Sequence, residues 1–183
     1  TSGEWLAEPH DPFFDVDWSV ALRGSYVKAT DGERFDIRLV PTLGLDHIGT
    51  RSAIEFDASA EIVRPGEGGT VDIGGLRLGL QMGYDLDSAT RVTANGDFSL
   101  TQDLPGTPGL ASNIAVAPQT FVGGGELGVT RQFGRFSVGV TGAAKRHVYG
   151  PTTLTAGGVT DNSDRNYWAL DGALRIGFRA TPI

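Results

Sequence analysis

The sequence predicts an all-β protein, an antiparallel up-and-down transmembrane β-barrel with about eight long strands in this chain. Three observations predict this fold: side chains alternate between apolar and polar along almost the whole chain, the alternating segments reach about ten residues, and short and long connections follow each other in turn. Strands of globular proteins usually have about five or six residues, whereas tilted strands that cross a bilayer need about 9–11. The segment length therefore favours a barrel that spans a membrane.

Eight segments carry the alternation, and each places large apolar side chains on one face and polar ones on the other. In chain order they are 16–27, 34–46, 54–62, 76–86, 91–100, 121–132, 136–145 and 168–179. The sixth segment is the weakest because it is rich in glycine. Pro41 lies inside the second segment, where a bulge or an edge position would accommodate the missing N–H. We expect one domain over 1–183, with an N-terminal extension over 1–13 and strands over 14–179.

Composition excludes several classes of protein. The chain has 183 residues and a formal net charge of −7, which argues against nucleic acid as a partner because phosphate binding needs a basic face. It has no cysteine, so disulfides and thiolate metal sites are excluded. The longest uncharged run, 104–125, contains three prolines and cannot be a spanning helix. Since it begins at Thr1 without a signal peptide, we expect a mature form or an excised segment.

The connections between segments alternate in length. Short ones cover 46–51, 87–89 and 133–135, and longer ones cover 64–75, 103–118 and 148–166. The first link, 29–33, is short although it falls on the side of the long ones. Outer-membrane barrels have short turns on the periplasmic side and long loops outside, so the pattern predicts this orientation.

Aromatic residues sort toward the segment ends, which predicts two girdles at the two membrane interfaces. The residues expected toward the short-turn rim are Trp18, Phe56, Tyr84, Phe133, Phe136 and Phe178. Those expected toward the opposite rim are Tyr26, Phe35, Phe98, Phe121 and Trp168. The alternative is that they are core aromatics of a soluble barrel, in which such sorting has no reason to occur.

Charged residues of both signs occupy the polar positions, and in a membrane barrel this face lines the lumen. The lumen-lining charged residues predicted here are Arg23, Arg38, Glu55, Asp57, Glu61, Arg77, Asp85, Arg91, Asp97, Asp171 and Arg175. Further charges in the same register are Asp17, Arg34, Asp36 and Arg179. Enclosed charges must be paired or hydrated, and opposite signs on neighbouring strands allow pairing. Alternation alone does not exclude the inverted arrangement of a soluble barrel, but large apolar side chains on eight faces would overfill a small interior.

Several longer strings resemble one known family. They are DPFFDVDWSVALRGSYVK (11–28), TRSAIEFDASAEIVRP (50–65), LGLQMGYDLDS (78–88), SLTQDLPGTPGLAS (99–112), APQTF (117–121) and VYGPTTLTAGGVTDNSDRN (148–166). They are similar to the outer-membrane proteins grouped as putative beta-barrel porin 2, found in Gram-negative bacteria. The resemblance implies a bacterial outer-membrane location, outer-membrane lipid and the barrel assembly machinery as partners, and a porin-like or structural role. It brings no catalytic motif and no cofactor.

The resemblance also bears on strand number. The resemblance implies a protein longer than this chain, and a complete barrel usually ends on an aromatic residue of its last strand. This chain runs past Phe178 to Ile183, so we expect a segment of a larger barrel.

The sequence contains no recognisable catalytic or metal-binding motif. Four groups of residues nevertheless have the chemistry of a possible site. Asp46, His47 and Ser52 contain the residue types of a hydrolase, but neighbours in a turn are far more often plain turn residues. Glu55, Asp57 and Glu61 share one face and could bind a cation or act as acid and base, yet a paired network with Arg38 and Arg77 is the favoured interpretation.

The other two groups lie in a loop and in a glycine run. The stretch 161–164, DNSD, has calcium-ligand chemistry without the EF-hand spacing, which indicates a solvated loop. The glycines at 123–125 are followed by no helix, so a bend or close strand packing is favoured over phosphate binding. His10 and His147 complete the three histidines, and their positions argue against a shared site with His47.

Three functions remain open. The first is a passive porin-like channel or structural envelope protein, through which small polar solutes could diffuse and whose inward charges set the charge preference. A closed barrel of eight strands has an interior just filled by side chains, so conduction requires a wider barrel. The second is a barrel scaffold for a loop-borne enzyme or adhesin, and the third is a soluble lipocalin-like barrel that binds a ligand in an apolar interior.

Overall fold

The computed structural model describes residues 13–29, 32–65, 72–102 and 113–180. Eight of its strands are long. They are Phe13–Ala29 (β1), Gly32–Ile48 (β2), Ser52–Pro65 (β3), Asp72–Asp87 (β4), Thr90–Gln102 (β5), Gln119–Phe133 (β7), Phe136–Tyr149 (β8) and Tyr167–Phe178 (β11). Three strands of three residues each, Ile114–Val116 (β6), Thr152–Leu154 (β9) and Gly158–Thr160 (β10), and a 3₁₀ turn over Ser163–Arg165 lie in the connections.

The long strands form one antiparallel sheet in the order β1-β2-β3-β4-β5-β7-β8-β11, so each pairs with the next long strand along the chain. This arrangement is an up-and-down meander. It confirms the predicted all-β antiparallel architecture with eight long strands. The sheet is open, because among the described strands β1 and β11 each pair on one side only. No helix in the described ranges has the length and hydrophobicity needed to cross a bilayer.

The strands are longer than the sequence predicted. They contain 12 to 17 residues instead of about ten, because the hydrogen-bonded ladders of most strands continue beyond the alternating segments, for example to Phe13 in β1 and to Tyr149 in β8. The connections predicted as plain loops at 103–118 and 148–166 also contain structure, since β6, β9 and β10 form a separate three-stranded sheet in the order β10-β9-β6.

Successive strands are displaced along their own direction. The row of paired residues that joins Asp15 on β1 to Asp171 on β11 shows the displacement. On the long-loop side of this row β1 continues to Ala29, whereas β11 stops at Tyr167. On the short-turn side β1 begins at Phe13, whereas β11 continues to Phe178. Tilted strands produce such a stagger when their ends follow a level rim.

Pro41 lies in an interior strand without a bulge, so the predicted bulge or edge position is wrong. The pairing of β2 with β1 is unbroken at Pro41, which lies opposite Val20. The pairing with β3 passes from Leu39 directly to Thr42 and then continues in the same register. The ladder therefore loses a short stretch at the proline, which offers no N–H, and the sheet keeps its register on both sides.

The described residues enclose almost no apolar core. Val63 and Ala117 are the buried hydrophobic side chains among them, whereas Trp18, Leu170 and Leu174 expose 76%, 78% and 67% of their surface. A soluble barrel of the lipocalin kind needs the opposite arrangement, with large apolar side chains packed inside.

Candidate functional site

Register divides the sheet into two chemically distinct faces. One row of directly paired residues runs through Trp18, Leu43, Ala58, Leu78 and Phe98, and this side is called the apolar face. The opposite side is called the polar face. It carries every charged residue predicted to line a lumen, namely Arg23, Arg38, Glu55, Asp57, Glu61, Arg77, Asp85, Arg91, Asp97, Asp171 and Arg175. The apolar face carries all the predicted girdle aromatics, namely Trp18, Tyr26, Phe35, Phe56, Tyr84, Phe98, Phe121, Phe133, Phe136, Trp168 and Phe178.

The polar face is concave over strands β2 to β5. A cavity of about 650 Å³ lies there, and polar-face residues such as Glu55, Gln81, Arg91 and Asn95 dominate its lining. The opposite side of the sheet carries a large exposed apolar surface.

Two adjacent rows of the polar face form what is called here the acidic band. The first row contains Asp15, Asp46, Glu55, Gln81, Asn95, Glu126, Ala143 and Asp171. The second contains Asp17, Gly44, Asp57, Gly79, Asp97, Gly124, Lys145 and Ala169. Together these rows hold eight carboxylates and one amine. The cationic residues Arg23, Arg38 and Arg77 lie on the long-loop side of the band, and Arg91 and Arg175 lie on its short-turn side.

Four charged members of the acidic band were not among the lumen residues singled out from the sequence. Asp15, Asp46, Glu126 and Lys145 occupy the same face as their neighbours. Alternation predicts their face as well, because each is separated by an even number of residues from another polar position of the same strand.

Three ion pairs on this face are formed by described residues. Arg38 Nη1 lies 3.3 Å from Glu61 Oε1, Arg91 Nε lies 3.9 Å from Asp85 Oδ1, and Lys145 Nζ lies 3.1 Å from Asp97 Oδ2. The network predicted around Arg38 and Arg77 is therefore correct only for the pair of Arg38 with Glu61.

The remaining members of that predicted network are not joined. Within the described part of the chain, Glu55, Asp57 and Arg77 take part in no ion pair. The reason is register, because Arg77 lies opposite Ser59 and Ser99 and Asp57 lies opposite Gly44 and Gly79.

The hydrolase grouping is not assembled. Asp46 and His47 are consecutive in β2, so Asp46 projects from the polar face and His47 from the apolar face, where its ring centroid lies 6.3 Å from that of Phe14. His147 is stacked on Tyr167 at the long-loop end, with ring centroids 4.4 Å apart, and His10 lies outside the described residues. No group of three or more His, Cys, Asp or Glu side chains in the described ranges could hold a metal ion.

The stretch 161–164 is ordered by its own hydrogen bonds. The Asp161 carboxylate accepts bonds from the Ser163 backbone N–H and hydroxyl, both at 2.9 Å, and these bonds lower the pKa of Asp161 below its usual 3.8. Asn162 is buried, and its Nδ2 donates to the Gly150 carbonyl oxygen at 2.7 Å and to Thr152 Oγ1 at 3.0 Å. The predicted solvated loop is thus folded onto the start of β9 through Asn162.

The apolar face also bears cations near its two ends. The Arg146 guanidinium lies 5.0 Å from the ring centroid of Trp168, and that of Arg131 lies 5.4 Å from the ring centroid of Phe133. Long basic side chains can rest their stems on apolar surface and extend the charge to water, and they are attracted to aromatic faces. Sequence reasoning missed both pairs because these arginines occupy apolar positions of the alternation.

Comparison with known proteins adds one finding to this geometry. A family model described as "Putative beta-barrel porin 2" matches residues 30–183. The chain belongs to this family. The resemblance seen in the sequence is therefore confirmed, and the matched region contains every long strand except β1. No curated protein and no solved structure matches the chain.

Proposed function

We propose that this member of the porin family forms the wall of a passive β-barrel channel in the bacterial outer membrane, without enzymatic activity. One observation carries the proposal: the sheet has a continuous apolar face on one side and a face that carries the charged residues on the other. Lipid covers the first and water fills the second. The family membership supports the same function.

The dimensions of the apolar face suit a bilayer. On β4 the apolar positions run from Leu76 to Leu86, and at about 3.3 Å per residue and a tilt of about 40° they cover a height of about 25 Å. The apolar band of outer-membrane barrels is also about 25 Å tall. Lipid contact then accounts for large exposed side chains that no apolar core covers.

The aromatic side chains of this face serve as the interfacial girdles in this proposal. Phe133, Phe136 and Phe178 share one row at the short-turn end, where the rings of Phe136 and Phe178 lie 4.8 Å apart, and Tyr26 lies opposite Phe35 at the other end. Trp18 and Trp168 lie in the same row of paired residues. Because the strands are staggered, this row runs obliquely to the membrane and the two side chains lie at different depths. Amphipathic rings favour the headgroup level, where they would fix the depth of the barrel.

The edges of the sheet cannot face lipid unpaired. A backbone N–H or C=O without a partner in the hydrocarbon region costs several kcal/mol, so strands β1 and β11 must be paired in the membrane. If they pair with each other, eight strands enclose an interior that side chains fill, and the protein is a structural barrel. If they pair with further strands, the lumen is wider and conducts small polar solutes. Insertion by the barrel assembly machinery is part of the same proposal.

Conductance in planar bilayers tests the proposal. We expect the natural full-length protein to insert from detergent and to give discrete current steps in salt solution, because a water-filled lumen passes ions. Insertion without current steps would contradict the channel function and leave a structural role in the membrane. A protein that stays monomeric and folded in buffer without detergent would contradict the membrane location itself.

A further inference from the structure

The charge of the proposed lumen is unevenly distributed. In the first row of the acidic band, Asp15, Asp46, Glu55, Glu126 and Asp171 face the same side without a cationic residue in their row. None of these five carboxylates belongs to an ion pair within the described ranges. Glu126 Oε1 accepts a hydrogen bond from Asn95 Nδ2 at 3.1 Å, which orients the carboxylate without neutralising it.

The basic residues offer little compensation. Lys145 is the one amine in the band, and it is already bound to Asp97 at 3.1 Å. Arg38 and Arg91 are bound to Glu61 and Asp85, which lie outside the band. Arg23, Arg77 and Arg175 lie on the polar face beside the band and belong to no ion pair within the described ranges. Inside the band itself eight carboxylates face one amine, so the charge of the band is negative.

Glycines make room for this charge on the wall of the sheet. In the second row Asp17, Asp57 and Asp97 alternate with Gly44, Gly79 and Gly124. A methyl group at Gly79 would overlap the Asp57 carboxylate, one at Gly44 would lie 3.6 Å from Asp17 Cβ, and one at Gly124 would lie 3.1 Å from Lys145 Cε.

The three contacts differ in closeness. At Gly79 a charged group lies across the glycine of the neighbouring strand, at Gly124 the Ala144 carbonyl oxygen is as close as Lys145, and at Gly44 the contact with Asp17 is an ordinary van der Waals one. The carboxylate of Asp57, in particular, is held against the sheet where Gly79 leaves space for it.

We propose that the lumen passes small cations in preference to anions, and that the acidic band, with its alternating aspartates and glycines, sets this preference. The inference rests on the proposed channel and names the class of solute. Rows of Asp and Glu side chains select cations in channels, because their field raises the local cation concentration and repels anions. The effect reaches about 8–10 Å at ordinary ionic strength, so the solutes that sense it pass close to the wall.

Reversal potentials across planar bilayers with a KCl gradient test the proposal on the natural full-length protein. We expect a K⁺ to Cl⁻ permeability ratio above one, and a lower ratio in the variant Asp57→Asn, which keeps the shape of the side chain and removes its charge. The matched control is Asp164→Asn, the same change in an exposed loop position, which should leave the ratio unchanged. The preference should also weaken in concentrated salt because of screening.

A second pair of variants tests the role of glycine separately from charge. Gly79→Ala should lower the permeability ratio while channels persist, because the Asp57 carboxylate is displaced. Gly142→Ala is the control, since Gly142 lies on the apolar face and a methyl group there would have no atom within 4 Å. Equal permeability ratios in these two variants would show that Gly79 plays no part in the cation preference.

The outcomes separate this inference from the channel on which it rests. Channels with a wild-type ratio at or below one, or with a ratio that Asp57→Asn does not change, would overturn the cation preference and leave the channel standing. Absence of any channel in the wild-type protein would overturn both. The sign of the wild-type reversal potential decides the preference even if a variant fails to fold.

Discussion

At the scale of the residue, period two predicts the direction of a side chain but not its partner. Every lumen charge predicted from the sequence lies on the polar face, because alternation in a strand fixes that face. The pairing of Arg38 with Glu61, and not with Glu55 or Asp57, depends on the register between β2 and β3, which side-chain alternation leaves open.

The carboxyl group of Asp161 provides a prediction for pH dependence. Hydrogen bonds from the Ser163 backbone N–H and hydroxyl lower its pKa below 3.8, so its ionised form stabilises the folded loop above about pH 3.8, and this contribution is lost as the pH falls through the lowered pKa. We expect the carboxyl carbon resonance of Asp161 to titrate below pH 3.8 in NMR spectra, and Ser163→Ala to move the titration part of the way back. A titration of Asp161 at or above pH 3.8 would contradict the hydrogen-bonded loop.

At the scale of the element, the sequence predicted the central part of every long strand and missed most of the ends. Strand ends such as 72–75 in β4, DIGG, break the apolar alternation, so their inclusion depends on cross-strand hydrogen bonds. The short strands β6, β9 and β10 were missed for a related reason, because three residues are too few for a period to be recognised. β2 accommodates Pro41 because only the pairing with β3 is interrupted there, while the pairing with β1 is continuous.

Strand β11 allows a matched test of its two faces. Leu174 and Ala173 are consecutive, and Leu174 lies on the apolar face and Ala173 on the polar face. Leu174→Arg should lower the free energy of unfolding in lipid by about 2–4 kcal/mol, the cost of a lipid-facing arginine near the bilayer midplane. Ala173→Arg adds the same side chain toward water and should cost much less. Urea unfolding in lipid vesicles measures both, and equal losses would show that the two faces meet the same solvent.

At the scale of the whole molecule, the predicted sheet and its two faces are confirmed, whereas its closure into a barrel stays a prediction. Period two fixes what each face offers to its surroundings, whereas curvature, stagger and the pairing of β1 and β11 depend on the number of strands in the complete sheet. The acidic band likewise follows from register across eight strands and is invisible in any single strand. The candidate site could therefore be predicted as a list of residues and not as an arrangement.

Spin labels on strand β4 show whether lipid contacts the apolar face and water the polar face. The chain has no cysteine, so single cysteines at 76–86 can each carry one label in lipid vesicles without a background signal. Labels at Leu78, Leu80 and Met82 should be accessible to oxygen dissolved in lipid, and labels at Arg77, Gly79 and Gln81 to a water-soluble nickel complex. An alternation of the opposite phase, or water accessibility at all six positions, would contradict the account.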